Sequence, residues 1–548
     1  MRVHCQAFAD DVVLVFDGAT ALEIEMEANG ILDYVEAWGA RNKLKFAAHK
    51  TNAMVITRKL KYDAPRLSMG GAAVQPVSQI KLLGVTIDSK LTFNAHVASA
   101  CKKATDIYKK LAKAAKINWG LNPEIVRVIY NAAVEPVVLY AASVWGAAAE
   151  KIGVRKQLDV VQRGFAQKIC RAYRTVSLNS ALVLAGLLPL DLRIREAASL
   201  YEIKRGARLP ELGDWEIERT ASALDAPHPA ERIDLGFTGL ADRQQVEANI
   251  NFDVRIYTDG SKIDGGVGAA ISIWRGEAES RSVKFCLSSC CTVYQAELLA
   301  ICEATRRAIK YNASTFGIYS DSMAALQTVT SPVSLHPLAV KTRENLKTIT
   351  RQNKSIKLFW IKAHAGLEGN ERADQLAKEA AVNTKRKADY DLCPVSYVKG
   401  ILRKRSLGVW DDRYRLGETA GTTKIFFPMA SDAYRVVRQI TLSGPITQIL
   451  TGHGGFADYL CKFKCRNSSE CECDPGVNET VPHLLTDCPI FGRQRIDLEH
   501  KIGCKIKLEN LAEIIRSKNR ENFMKFSEYI VRVVNKKNGS NKTVVSTI

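Results

Sequence analysis

The sequence predicts an α+β multidomain protein whose centre, residues 251–383, is a mixed β-sheet with flanking helices. Three observations predict it. First, VRIYTD, GVGAAISIW and SVKFCLS are three consecutive strand candidates, after which helices and strands alternate. Second, residues 97–208 carry long stretches of helical periodicity, HVASACKKATDIYKKLAKAA and EIVRVIYNAAVEPVVLYAASVW. Third, six of the 14 cysteines crowd between Cys461 and Cys504, in a mainly helical tail.

The totals bound the class. With 548 residues, 46% of them hydrophobic, the chain can bury several cores. No apolar run approaches the roughly 20 residues that span a membrane, and Asp10 and Asp11 interrupt the only apolar stretch a leader would need. The expectation is a soluble intracellular protein, with nucleus and cytoplasm left open and neither a membrane nor a small-molecule cofactor as partner. A net charge of +20 favours a polyanion, most simply RNA or DNA. The eight cysteines scattered from Cys5 to Cys393 suit reduced core positions.

Taken in order, residues 1–96 are β-rich with helical insertions. VVLVF (12–16), KTNAMVITRK (50–59) and IKLLGVTID (80–88) predict strands, and residues 23–38 a helix. Residues 97–208 predict helices, with the turn signal NWGLNP between the two longest. Residues 209–250 hold three prolines and little periodicity, which predicts a connector. KRK (385–387) opens a second connector, and residues 390–548 predict helices around the cysteine cluster.

Five residues in 251–383 carry the chemistry. Asp259 and Asp321 each follow an apolar strand run, in YTDGS and IYSDS. Glu297 lies in the helix YQAELLA, His364 just after a strand in WIKAHAGLEGN, and Asp374 in the helix NERADQLA. Neighbouring strand ends put both aspartates on one edge, and the two helices bring the other carboxylates across it. Four carboxylates meeting this way repel unless cations sit between them, and hard oxygen ligands suit Mg²⁺ or Mn²⁺. Two such ions about 4 Å apart orient water for phosphodiester cleavage. A histidine with an ordinary pKa of about 6.5 suits proton transfer or product release. Taken singly, each aspartate is more often a turn former or cap, and the histidine more often inert.

TDGS, AEL, SDS and AHAGLEGNERAD, in that order, resemble a type-1 ribonuclease H domain. The resemblance implies an Mg²⁺-dependent endonuclease that cuts the RNA strand of RNA–DNA hybrids. It places Asp259, Glu297, Asp321, His364 and Asp374 at the family's five active-site positions. Ser261, Gln295 and Ser322 lie beside them and are candidates for touching the hybrid backbone, with turn and cap roles equally open. Lys341, Arg343, Lys347, Arg351, Lys354 and Lys357 form a basic run that either grips phosphates or solvates a helix face.

Further motifs extend the resemblance. FADD (8–11), WGARNKLKFAAHKTNAMVI (38–56), IKLLGVTIDSKLTF (80–93) and VVLYAASVWG (137–146) resemble, in order, the last palm motifs and the thumb of a non-LTR retrotransposon reverse transcriptase of the jockey-like or I-like arthropod kind. Asp10 and Asp11 mark the polymerase ancestry. A two-metal polymerase needs a further aspartate from an upstream strand, which has no counterpart here. The expectation is a 5′-truncated polyprotein with a palm remnant (1–96), a helical thumb (97–208) and no polymerisation. The competing reading is a non-catalytic nucleic-acid-binding remnant of the same ancestry.

In the tail, Cys471, Cys473, His483 and Cys488 supply three thiolates and an imidazole, enough for a tetrahedral Zn²⁺ site within 461–488. Cys461 and Cys465 are spare candidates, and reduced structural cysteines are the alternative. All four positions would be filled by protein, so such a site is structural or nucleic-acid-binding.

Overall fold

The computed structural model describes residues 3–114, 120–222, 235–363, 366–383 and 387–539. It divides into two compact units, Leu200–Lys404 and the combination of Met1–Ser199 with Arg405–Ile548.

The unit of residues 200–404 contains a six-stranded mixed sheet. Its elements are β1 (Thr238–Leu240), α1 (Arg243–Ala248), β2 (Val254–Ile263), β3 (Gly266–Arg275), β4 (Ala278–Leu287), α2 (Val293–Lys310), β5 (Thr315–Ser320), α3 (Met323–Thr330), α4 (Pro337–Arg351), β6 (Ser355–Ile361) and α5 (Glu368–Val382). The strand order is β4-β3-β2-β5-β6-β1. β2, β3 and β4 form an antiparallel meander, while β5 runs parallel to both β2 and β6. The three expected strands and the alternation after them are all present.

Period-2 alternation gives the sheet two apolar faces. Ile256, Ile318 and Leu358 belong to the core shared with Leu298, Ile301 and Ile349 of α2 and α4. Tyr257, Tyr319 and Phe359 belong to a second core with Ala373 of α5. These three rings stack across adjacent strands, with centroids 4.9 and 5.0 Å apart. Such stacking contributes about 1 kcal/mol per pair beyond burial, and it penalises any slip in register. Helix α5 approaches β3 closely because glycine lies beneath it. A Cβ at Gly268 would sit 2.3 Å from the Ala377 carbonyl oxygen.

The stretch expected as a connector contributes to this unit. β1 pairs parallel with β6 and forms the edge of the sheet, and α1 follows it. The Glu218 amide donates to the Cys393 carbonyl at 2.8 Å, and the Cys393 amide donates to Glu216 at 2.7 Å. A three-residue strand on a sheet edge is too short to leave a periodic signal. The connector residues 223–234 and 384–386 lie outside the described residues.

The other unit begins with three separate two-stranded hairpins: His4–Phe8 with Asp11–Val15, Leu67–Met69 with Ala72–Val74, and Gln79–Leu82 with Val85–Asp88. The expected strand at 80–88 is therefore a hairpin, turned at Leu83 and Gly84, both with positive φ. The expected strand at 50–59 does not form, apart from one bridge of Ala53 to Pro76. Its backbone pairs only at Ala53, whose amide donates to the Gln75 carbonyl and whose carbonyl accepts from the Val77 amide. The expected helix spans Ala21–Arg41 and starts at a Thr20–Glu23 capping box.

Residues 97–199 are helical as expected, but they do not form a core of their own. Trp145, Phe165 and Leu184 share one apolar core with Phe426, Phe456, Phe523 and Val531 from the tail. Thr447 Oγ1 donates to the Cys170 carbonyl at 2.5 Å, and Thr423 Oγ1 to Ser180 Oγ at 2.8 Å. Arg413 pairs with the buried Asp191 at 2.6 Å. Residues 97–199 and 405–539 thus contribute to one compact unit, while 200–208 and 390–404 belong to the other. Contacts this far apart in sequence leave no local pattern.

The α5–β3 approach gives a direct prediction. Gly268→Val should lower stability by about 3 kcal/mol, because the added side chain meets helix backbone that cannot yield. Urea unfolding followed by tryptophan fluorescence checks it.

Candidate functional site

Strand register brings the first two carboxylates together. Tyr257 pairs with Tyr319 and Thr258 with Ser320, so the next position on each chain is Asp259 and Asp321. Glu297, in the second turn of α2, reaches them over Gly260. A Cβ at Gly260 would lie 2.7 Å from the Glu297 amide nitrogen, so only glycine lets the helix start so close. One ligand oxygen from each of Asp259, Glu297 and Asp321 lies within 4.8 Å of the others. Asp374 of α5 lines the same cleft, a volume of about 410 Å³ that also includes Tyr294, Ser322, Asn370 and Glu371. Its Oδ2 is held by Lys378 Nζ at 2.7 Å. The structure thus brings together four of the five predicted residues. His364 lies outside the described residues.

The electrostatics follow from crowding. Burial, then Asp321 and Asp374, push the Asp259 carboxyl up to about 7 against the donation from the Gly260 amide. Burial, then Asp259 and Asp321, hold Glu297 well above the usual carboxylate range. Glu297 Oε2 is buried without a hydrogen-bond partner. A buried oxygen with no donor, among carboxylates forced to share protons, is the donor set a hard divalent cation completes.

The neighbouring candidates divide. Ser322 lines the cleft and caps α3, its Oγ accepting from the Ala325 amide at 3.4 Å. Ser261 lies two residues past Asp259 on β2, opposite Gly268, and outside the cleft lining. Gln295 is corrected to a structural role. It is 1% exposed, completes the capping box of α2, and donates through Nε2 to Glu218 at 3.0 Å and the Leu392 carbonyl at 3.2 Å. Two members of the basic run are structural as well. Arg343 donates to the carbonyls of Val329 and Ser331, and Lys354 to those of Ile309 and Tyr311. Lys341, Arg351 and Lys357 are exposed. Sequence reasoning passed over Asn370, whose Nδ2 donates to Asp321 Oδ2 at 3.4 Å. It lies inside the GNERAD stretch, which was read for its aspartate alone.

Asp10 and Asp11 are exposed at the turn of the first hairpin, and Phe8 pairs with Asp11. Among the described residues, neither belongs to a group of three metal-ligating side chains.

The cysteine cluster converges. Cys471, Cys473, His483 and Cys488 place one ligand atom each within 4.8 Å of the rest. Cys471 Sγ and Cys488 Sγ are 3.9 Å apart, and Cys473 Sγ is 3.1 Å from His483 Nε2. Tetrahedral Zn²⁺ with about 2.3 Å Zn–S bonds sets sulfurs about 3.8 Å apart, which these thiols match. The short CxC spacing works because the chain doubles back. The Cys471 amide donates to Val477 at 2.7 Å, and Glu470 bridges Asn478. His483 enters a helix capped by Thr480, and the Cys488 amide donates to the His483 carbonyl at 2.8 Å. Cys461 and Cys465 stand outside the group.

Sheet, helices and carboxylate cleft together define a ribonuclease H-type domain, and residues 251–382 match the family model described as RNase H. Relatives of the chain are named as Pol polyproteins of R1 retrotransposable elements and as an RNA-directed DNA polymerase of the mobile element jockey from Drosophila funebris. A putative 115 kDa protein of the R1DM element from Drosophila melanogaster is 32% identical over 217 residues, covering 39% of this chain and 21% of its own length. A Pol polyprotein of an R1 element from Nasonia vitripennis is 28% identical over 237 residues, covering 40% of this chain and 59% of its own. The alignments thus span less than two thirds of either relative. A solved RNase H domain from Mycobacterium tuberculosis aligns with 24% of this chain and 94% of its own, at 20% identity and a TM-score of 0.21.

Two predictions follow from the clusters. An aspartate near 3.9 when unfolded and about 7 when folded holds its proton more tightly in the folded state. The contribution of this carboxyl to metal-free stability is then greatest below about pH 4 and is lost as pH rises towards 7. Calorimetry should show the metal-free melting temperature of the wild type falling relative to that of Asp259→Asn between about pH 4 and pH 7, with Mg²⁺ opposing the fall. Separately, the purified protein should carry one zinc by elemental analysis, and Cys488→Ser should lose it and lower the melting temperature.

Proposed function

We propose that this protein hydrolyses the RNA strand of RNA–DNA hybrids. The observation that carries the proposal is the trio Asp259, Glu297 and Asp321, with a buried unpartnered oxygen, inside the stretch that matches RNase H. Asp259, Glu297, Asp321 and Asp374 hold two Mg²⁺ or Mn²⁺ ions. When bound, such ions supply Lewis-acid polarisation of the scissile phosphate and lower the pKa of the attacking water. Lys378 balances Asp374 and keeps its carboxylate oriented at the cleft edge. Ser322 presents its hydroxyl at the cleft wall, beside Asp321. His364 serves in proton transfer or product release. The net charge of +20 draws the hybrid, RNA or DNA to the protein, with binding that weakens in salt.

The remaining segments fit a retrotransposon polyprotein in which residues 1–96 resemble part of a polymerase palm. Asp10 and Asp11 are exposed on the turn of a hairpin in that segment. Zn²⁺ on Cys471, Cys473, His483 and Cys488 is structural, because all four ligands come from protein and two of the thiols lie in the apolar core.

The test is a labelled RNA–DNA hybrid incubated with the purified protein and Mg²⁺. Wild type should cleave the RNA strand, and Asp321→Asn should fall at least about a hundredfold, since it removes a charge from the ligand set. A wild type that binds hybrid without cleaving it would favour the non-catalytic reading, and equal cleavage by Asp321→Asn would overturn the assignment of the reaction to these carboxylates.

A further inference from the structure

Asn370 stands in the first turn of α5, four residues before Asp374 and one turn away on the same helix face. It is 4% exposed, more deeply buried than Asp374. Its Nδ2 donates to Asp321 Oδ2 at 3.4 Å. A carboxylate that ligates a cation only accepts, so in that state the amide nitrogen has to face Asp321. That leaves the carbonyl oxygen, Oδ1, buried with no hydrogen-bond partner at the wall of the cleft. The neighbouring trio has a second such atom, Glu297 Oε2. Two unpartnered buried acceptors at one cleft call for a donor or a cation, and a native fold rarely leaves such atoms unmet.

Its placement is enforced from below. A Cβ at Gly369 would come within 2.3 Å of the Tyr257 ring, so α5 starts directly on the aromatic stack. The side chain of Asn370 is therefore fixed by packing of the backbone that carries it, as a positioning residue requires.

We propose that Asn370 is a positioning residue of the cation site, holding Asp321 through Nδ2 and offering Oδ1 to the water shell of a divalent cation. Mg²⁺ dehydrates reluctantly and keeps several waters, so an outer acceptor of this kind raises its affinity without replacing a carboxylate. The proposal rests on the ribonuclease H reading of the same cleft.

The experiment is a Mg²⁺ titration of the full chain, read as thermal stabilisation and in parallel as kcat and KM for hybrid cleavage. Asn370→Ala should keep the metal-free melting temperature within a few degrees and raise the Mg²⁺ midpoint about tenfold. Its kcat should recover at saturating Mg²⁺, and KM for the hybrid should stay unchanged. Asn370→Asp keeps an acceptor beside the cation but loses the donor to Asp321, so its Mg²⁺ midpoint should lie between those of wild type and Asn370→Ala. A wild-type Mg²⁺ midpoint in Asn370→Ala, or an Asn370→Asp midpoint as high as that of Asn370→Ala, overturns the proposal while leaving the function standing. A wild type whose stability ignores Mg²⁺ and which leaves hybrids intact overturns the function and this proposal together.

Discussion

The parallel pairing of residues 254–263 with residues 315–320 is the constraint on which the rest of the site depends. Tyr257, Tyr319 and Phe359 stack face to face across three strands, and a one-residue slip would turn every ring to the wrong side of the sheet. With that register fixed, Asp259 and Asp321 meet two positions further on. Gly260 then lets α2 close over the strand with Glu297 at its leading end, and Gly369 lets α5 start on the Tyr257 ring. Each step trades side-chain volume for proximity of charge. The result is a set of carboxylates whose mutual repulsion is held in place by an apolar core on either side of the sheet.

The same logic of convergence operates in the tail. Four ligands come from a tight doubling of the chain, and Cys471 and Cys488 belong to the core that also contains Trp145 and Phe165. The helices before and after residues 200–404 therefore form one unit. Loss of the Cys471–Cys488 grouping would be felt by packing that begins near Val97.

Much of this was legible in the sequence. The three strands of the meander, the helices that follow and the carboxylates Asp259, Glu297, Asp321 and Asp374 have strong local signatures: apolar runs, helical spacing, and acidic residues placed just past a strand or inside a helix. The Cys–Cys–His–Cys set was legible because soft ligands cluster for few other reasons. What stayed hidden was either short or distant. β1 has three residues, and the hairpin within 80–88 turns on two positive φ angles that no periodicity announces. Residues 50–59 alternate like a strand but pair only at Ala53. Gln295 sits beside a catalytic-type glutamate, yet its amide is engaged by Glu218 and Leu392, residues far off in sequence. The shared core of residues 97–199 and 405–539 depends on pairs such as Thr447 with Cys170, which are 277 positions apart.

The central claim is that the carboxylates are held together to bind divalent cations. The most direct measurement is a crystal of the protein soaked in Mn²⁺, with data collected at a wavelength that reveals manganese by anomalous scattering. The account predicts strong anomalous density between the carboxylates of Asp259, Glu297 and Asp321. An empty cleft at millimolar Mn²⁺, with manganese confined to unrelated surface acids, would contradict it.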